Sequence, residues 1–212
     1  MSIDTPTSPV VFGSADGSEE LARAELYGLL ARLWLAPPDA ELLQQFGTAV
    51  TEAPETGALL EGPWQALVGA LRSTTVEAAA AEHEALFLGV GKPEVFAYGS
   101  FYLAGFLNEK PLAVLRHDLA ALGLTRDAAT LETEDHIAYL FEVMRYLIAG
   151  EDVAVCNLEQ QRRFFRAHIQ TWAERLCETV IAHPRADTWR ALAVFTQNFL
   201  VVETQGFDML ET

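Results

Sequence analysis

TEDHIAYLFEVMRYLIAG, residues 133–150, decides the fold class. Ile137, Leu140, Phe141, Met144, Leu147 and Ile148 recur at intervals of three and four, which stacks them on one face of a helix, and Gly150 ends the run. Thr133 is placed to cap the helix, with Glu134 and Asp135 in the first turn, where the helix dipole favours acids.

The same period continues outward in both directions. Upstream, Ser18 caps a helix whose apolar residues are Leu21, Leu26, Leu29, Leu30, Leu33 and Trp34, and Pro37-Pro38 stops it. Asp39 opens a short helix through Phe46, and two more run over Trp64–Leu71 and Val76–Phe87. Ser100–Glu109 comes next, then Pro111–Leu122, with proline in its first turn and Gly123 just past its end. Downstream, Leu158–Ile181 keeps the period through Phe165, Ile169, Trp172, Leu176 and Val180, and Thr188–Val202 follows. No segment sustains the period-2 alternation of a strand. The expectation is an all-α bundle of about eight or nine helices, a single domain over residues 18–212 after a loose tail at 1–17. Its helices form two groups, 18–124 and 134–212, joined by a hinge at 125–133.

A chain of 212 residues, half of them apolar, can bury a core without staples, and Cys156 and Cys177 form no CxxC pair. Thirty acidic against fourteen basic side chains leave a net charge of −16, which repels nucleic acid and anionic lipid and attracts basic partners. Residues 1–17 lack the basic start of a secretory signal, and the longest uncharged stretch, Val95–Asn108, falls short of the roughly 18–20 apolar residues that a membrane span needs. The setting expected from this is cytoplasmic.

Catalytic chemistry is hard to find. There is no GxSxG, and Gly89-Val90-Gly91-Lys92 matches the end of a phosphate loop in composition only, without Ser or Thr after the lysine. His83, His117, His136, His168 and His183 are scattered singly, with no paired Glu-x-x-His, so neither a metal nor a resident cofactor is expected. An acid–base role for Asp135 and His136 in a small-molecule enzyme has no other motif to support it.

Two stretches stand out. Residues 86–102, LFLGVGKPEVFAYGSFY, load a Gly/Pro loop with Phe87, Phe96, Tyr98, Phe101 and Tyr102. Such aromatics either plug the core or line a groove that receives a partner's apolar segment. Gly99-Ser100 ahead of a helix suggests close backbone approach and free N–H groups. The other stretch is Glu132-Thr133-Glu134-Asp135-His136. A histidine at a helix N-terminus is disfavoured when charged, so His136 is expected neutral and able to hydrogen-bond a peptide, while Asp135 can pair with arginine.

Taken in order, Leu86-Phe87 before a Gly/Pro loop, Tyr98-Gly99-Ser100-Phe101-Tyr102-Leu103, Leu115-Arg116, Gly123 and Glu132-Thr133-Glu134-Asp135-His136-Ile137 resemble the TorD/DmsD/NarJ family of redox-enzyme maturation chaperones. The likeness runs from the first Leu-rich helix to Phe164–Trp172. It departs from the family at Thr133, where proline is common, and at His83, where tyrosine is usual. The resemblance implies a TorD-like helical fold and a cytoplasmic chaperone, not an enzyme. Such a chaperone binds the twin-arginine leader or the apo-form of a molybdoenzyme catalytic subunit until the molybdenum cofactor is inserted. It further implies peptide-binding roles for Asp135 and His136, with Gly99, Ser100, Tyr98 and Tyr102 on the neighbouring wall and Leu86 and Phe87 in apolar contact. A leader with a basic head and an apolar body complements an acidic chain with aromatic loops. The alternative is an assembly factor for a non-exported molybdoenzyme, such as a formate dehydrogenase, that reads no leader. A homodimer formed by swapping helices across the hinge at 125–133 is a further expectation.

Overall fold

Helices account for almost all the regular structure in the computed structural model, which describes residues 19–48, 59–89, 92–127 and 130–209. The expected tail at 1–17, the Ser18 cap and residues 128–129 of the expected hinge lie outside the described residues. Among the described residues ten α-helices follow in chain order: α1 (Glu19–Leu35), α2 (Ala40–Thr48), α3 (Glu61–Ser73), α4 (Val76–His83), α5 (Gly99–Ala104), α6 (Lys110–Ala121), α7 (Ile137–Ala149), α8 (Leu158–His168), α9 (Ala173–Ala182) and α10 (Thr188–Met209). Among the described residues there is no sheet, only an isolated antiparallel bridge between Tyr98 and His136. None of the helices described is long and apolar enough to cross a membrane.

The helix termini show where sequence periodicity is sufficient and where side chains intervene. Asp39 caps α2 as expected, its carboxylate accepting the Leu42 N–H at 2.8 Å. Gly123, at φ +73°, follows α6 in the left-handed conformation that glycine adopts at no steric cost. Four expectations need correction. α4 ends at His83 and a π-helical turn carries Glu84–Leu88. α5 stops at Ala104 because Gly105 turns left-handed and its N–H returns to Phe101. The expected single helix over 158–181 is two, α8 and α9, because Trp172 leaves helical geometry and its indole N–H donates to the His168 carbonyl at 2.6 Å. That division raises the count to ten. α10 runs past Val202 to Met209.

The core forms where α1 lies along α7, with α10 across them and against α3, α4 and α9. Tyr27 of α1 meets Phe141 of α7 at 5.6 Å and Phe199 of α10 at 4.9 Å between ring centroids. Such tilted and edge-on aromatic pairs add to the stabilisation from burial. Leu21, counted on the sequence as part of the α1 apolar face, is exposed.

A polar clamp penetrates this core. The Arg23 guanidinium donates twice to the Glu203 carboxylate, each bond 2.8 Å, and once to Gln161. Tyr27 donates its hydroxyl to Glu203 at 2.8 Å, and Gln161 donates to the Leu147 carbonyl at 3.1 Å. Four helices are thereby tied together, and Glu203 is 5% exposed, so removal of its partners would strand a buried charge. Conversely, Glu203→Ala leaves the Arg23 guanidinium with Gln161 but no carboxylate, and the Tyr27 hydroxyl unmatched. The variant is expected to lose about 3 kcal/mol of folding stability in a denaturant titration at neutral pH.

Candidate functional site

Asp135 joins the two stretches that stand out in the sequence. Residues 133–136 form a turn closed by the His136 N–H on the Thr133 carbonyl at 3.0 Å, and the Thr133 hydroxyl donates to one Asp135 oxygen at 2.6 Å. The other oxygen accepts the Ser100 N–H at 2.8 Å, and the Asp135 carbonyl accepts the Gly99 N–H at 2.9 Å. The Ile137 N–H then donates to the Ala97 carbonyl at 2.9 Å. An anion at the first turn of α5 sits where exposed N–H groups concentrate. The N–H groups of Gly99 and Ser100, expected to be free, are thus taken up by the chain itself. Gly99 cannot be larger without displacing Trp172, since a Cβ there would lie 3.0 Å from the indole nitrogen.

His136, not Thr133, caps α7, because the Thr133 hydroxyl is engaged by Asp135. The His136 Nδ1 accepts the Ala138 N–H at 3.2 Å, and the ring stands edge-on to Tyr98 at 5.0 Å. Burial lowers its pKa from 6.5 to about 4 against the opposing pull of Glu132 and Asp135, so the ring is neutral at physiological pH. With Nδ1 accepting, the remaining proton is assigned to Nε2. The Tyr98 hydroxyl donates to the Glu132 carboxylate, and burial together with that bond raises its pKa. Arg116 of α6 grips Glu134 through two bonds of 3.0 and 2.9 Å.

Beside this joint lies a cleft of about 200 Å³ between α5, α6, the start of α7 and the end of α8. Its walls are mostly apolar, with Leu103 from α5, Val114 and Leu115 from α6, Leu140 from α7, and Trp172. Ser100, Asp135 and His168 are its polar members. The His168 Nε2 pairs with Asp118 at 2.8 Å. Burial lowers the His168 pKa more than Asp118 raises it, so the ring is neutral and donates its proton to that carboxylate. Leu103 and Val114, with Phe106 and Leu107 in the α5–α6 connection, are exposed apolar side chains.

Of the residues singled out on the sequence, Gly99, Ser100 and Asp135 line the cleft, and Tyr98 and His136 pack behind them. Tyr102 stacks on Trp172 at 5.6 Å, which ties it to the same wall. Leu86 and Phe87 are elsewhere. Leu86 is fully buried, and Phe87 packs against His83, Trp34 and Trp189 at 5.1, 6.0 and 6.1 Å. His83, between Phe87 and Trp189, is a core residue. Sequence reading missed Asp118, His168 and Val114. The i, i+4 stripe Val114–Asp118 on α6 was the available signal, but nothing in it points to α8. Among the described residues no group of His, Cys, Asp and Glu is arranged to hold a metal.

Comparison with known families returns one described as nitrate reductase delta subunit, matched over residues 53–178. That span holds every residue of the cleft. No curated protein matches the chain.

Two outcomes are expected of the joint. Asp135→Ala leaves the buried Ser100 N–H unpaired and should cost about 1–3 kcal/mol by denaturant titration. For His136, the unfolded ring takes up its proton near pH 6.5 and the folded ring only near pH 4, so stability present above about 6.5 is lost as the pH falls toward 4. His136→Asn keeps a capping acceptor and should flatten that part of a plot of Tm against pH.

Proposed function

The chain belongs to the nitrate reductase delta subunit family, the NarJ/TorD-type chaperones of molybdoenzyme maturation, and from that membership we propose which part of a client it holds, and where. It binds the twin-arginine leader or the adjoining apo-form of a molybdoenzyme catalytic subunit in the cytoplasm, and keeps that subunit available for molybdenum-cofactor insertion before export or assembly. The family is one of chaperones, not catalysts. The molybdenum cofactor on this reading is the client's.

One observation carries the proposal. Segments 98–102 and 132–136, which hold the residues of the family resemblance, meet through Asp135 at an open apolar cleft. In that arrangement Asp135 is a positioning residue, since both its oxygens hold the chain, and the apolar walls around Ser100 make the contact. His136 and Tyr98 support the wall from behind. A net charge of −16 draws a segment with a basic head, and the apolar walls accept the body that follows.

Affinity capture of the tagged, full-length protein from its own cytoplasm, followed by mass spectrometry, should recover a molybdoenzyme catalytic subunit that is lost when that subunit's leader is deleted. Retention after deletion moves the contact to the mature body, and recovery of no molybdoenzyme subunit overturns the reading. Binding of the purified leader should weaken as salt rises past the point where the Debye length is about 10 Å, and a flat response would contradict an arginine-bearing target.

A further inference from the structure

A second groove lies away from the cleft, between α8, α9 and α10, with a volume of about 310 Å³. Phe165 and Leu200 are its buried floor, and Val201, 42% exposed, stands on its wall. Gln170, Gln197, Thr204 and Gln205 surround these with amide and hydroxyl groups, and Glu174 is the one charged residue of the lining. Gln170 reaches the Thr204 hydroxyl at 3.5 Å, while Gln197 and Gln205 make no side-chain hydrogen bond among the described residues. Such a lining suits an uncharged, partly apolar stretch of polypeptide, because the floor takes side chains and the amides both donate to and accept from backbone groups.

The chain itself carries a segment of this kind. Residues 5–15, TPTSPVVFGSA, hold no charged side chain although the chain has a net charge of −16, and Val10-Val11-Phe12 is their apolar run. Pro6 and Pro9 disfavour a helix there. The start of α1 adjoins one end of the groove. Arg23 lies over the Phe207 ring at 5.7 Å and donates to Gln161 of α8, and Phe165, one turn further along α8, meets Phe207 at 5.2 Å between centroids. Residues 13–18 separate Phe12 from Glu19 and span up to about 20 Å when extended. The groove follows α10 from Gln197 to Gln205, about 12 Å at the rise of a helix. A tether this short holds the segment at a roughly millimolar effective concentration, ahead of a free partner of equal intrinsic affinity.

We propose that the groove between α8, α9 and α10 is the docking site for residues 9–12 of the same chain, with Val10-Val11-Phe12 over the floor of Phe165 and Leu200. Docking covers Val201 and keeps this face from receiving other polypeptide. The inference does not depend on the chaperone reading.

The test is thiol protection in the full-length protein carrying Cys156→Ser, which removes the partly exposed native thiol and leaves Cys177 buried. Val201→Cys should react with a maleimide about tenfold more slowly than it does once Phe12→Asp is added, as a segment seated about nine-tenths of the time requires. Deletion of residues 1–12 should give the faster rate as well. Ala66→Cys, exposed on α3, should react at one rate in all three backgrounds. The protection of Val201→Cys should persist unchanged on dilution of the protein, as an intramolecular contact does. Equal rates with and without Phe12→Asp overturn the proposal, and so does protection that falls on dilution, which assigns the groove to a second copy of the chain.

Discussion

One buried carboxylate carries the site. Asp135 accepts from Ser100 and Thr133 through its side chain and from Gly99 through its carbonyl, and the bond to Ser100 joins positions 35 residues apart in sequence. α5 is only six residues long, too short to be stable by itself, so its position depends on this anion and on Trp172 pressed against Gly99. Leu103 and Ser100 line the cleft because α5 is held there, and without α5 the cleft loses that wall.

Rigidity elsewhere complements this arrangement. α1, α7 and α10 pack through Tyr27, Phe141 and Phe199 and are clamped by Arg23 and Glu203, while α5 and α6 stand to one side of that core. α7 links the two regions, its first residues forming the joint and its apolar face the core. A chaperone needs apolar surface that is exposed yet does not collapse inward. A side chain such as Phe106 on a short helix connection, backed by a firm bundle, meets that need at the cost of a surface prone to association.

The helical bundle was legible in the sequence because apolar spacing alone specifies α7, and Pro111 and Gly123 bracket α6. What escaped were ends governed by side chains. Thr133 has the chemistry of a cap, but its hydroxyl is taken by Asp135 and His136 caps in its place. The apolar period runs unbroken from α8 into α9, so the break appears only when the Trp172 indole bonds the His168 carbonyl. Asp135 and His136 were readable as a pair, whereas the partnership of His168 with Asp118, 50 residues away, is a tertiary contact that no local pattern announces. Leu86 and Phe87 illustrate the reverse, since the composition of their loop does not reveal that they lie away from the cleft.

On the proposed function, client polypeptide lies over the α5–α6 cleft. A photo-crosslinking amino acid placed at Val114, exposed on the cleft wall, and separately at Val201, exposed in the groove between α8, α9 and α10, tests it most directly in living cells. Crosslinks from Val114 to a molybdoenzyme catalytic subunit, with none from Val201, are the predicted result. Crosslinks to that subunit from Val201 with none from Val114 would contradict it.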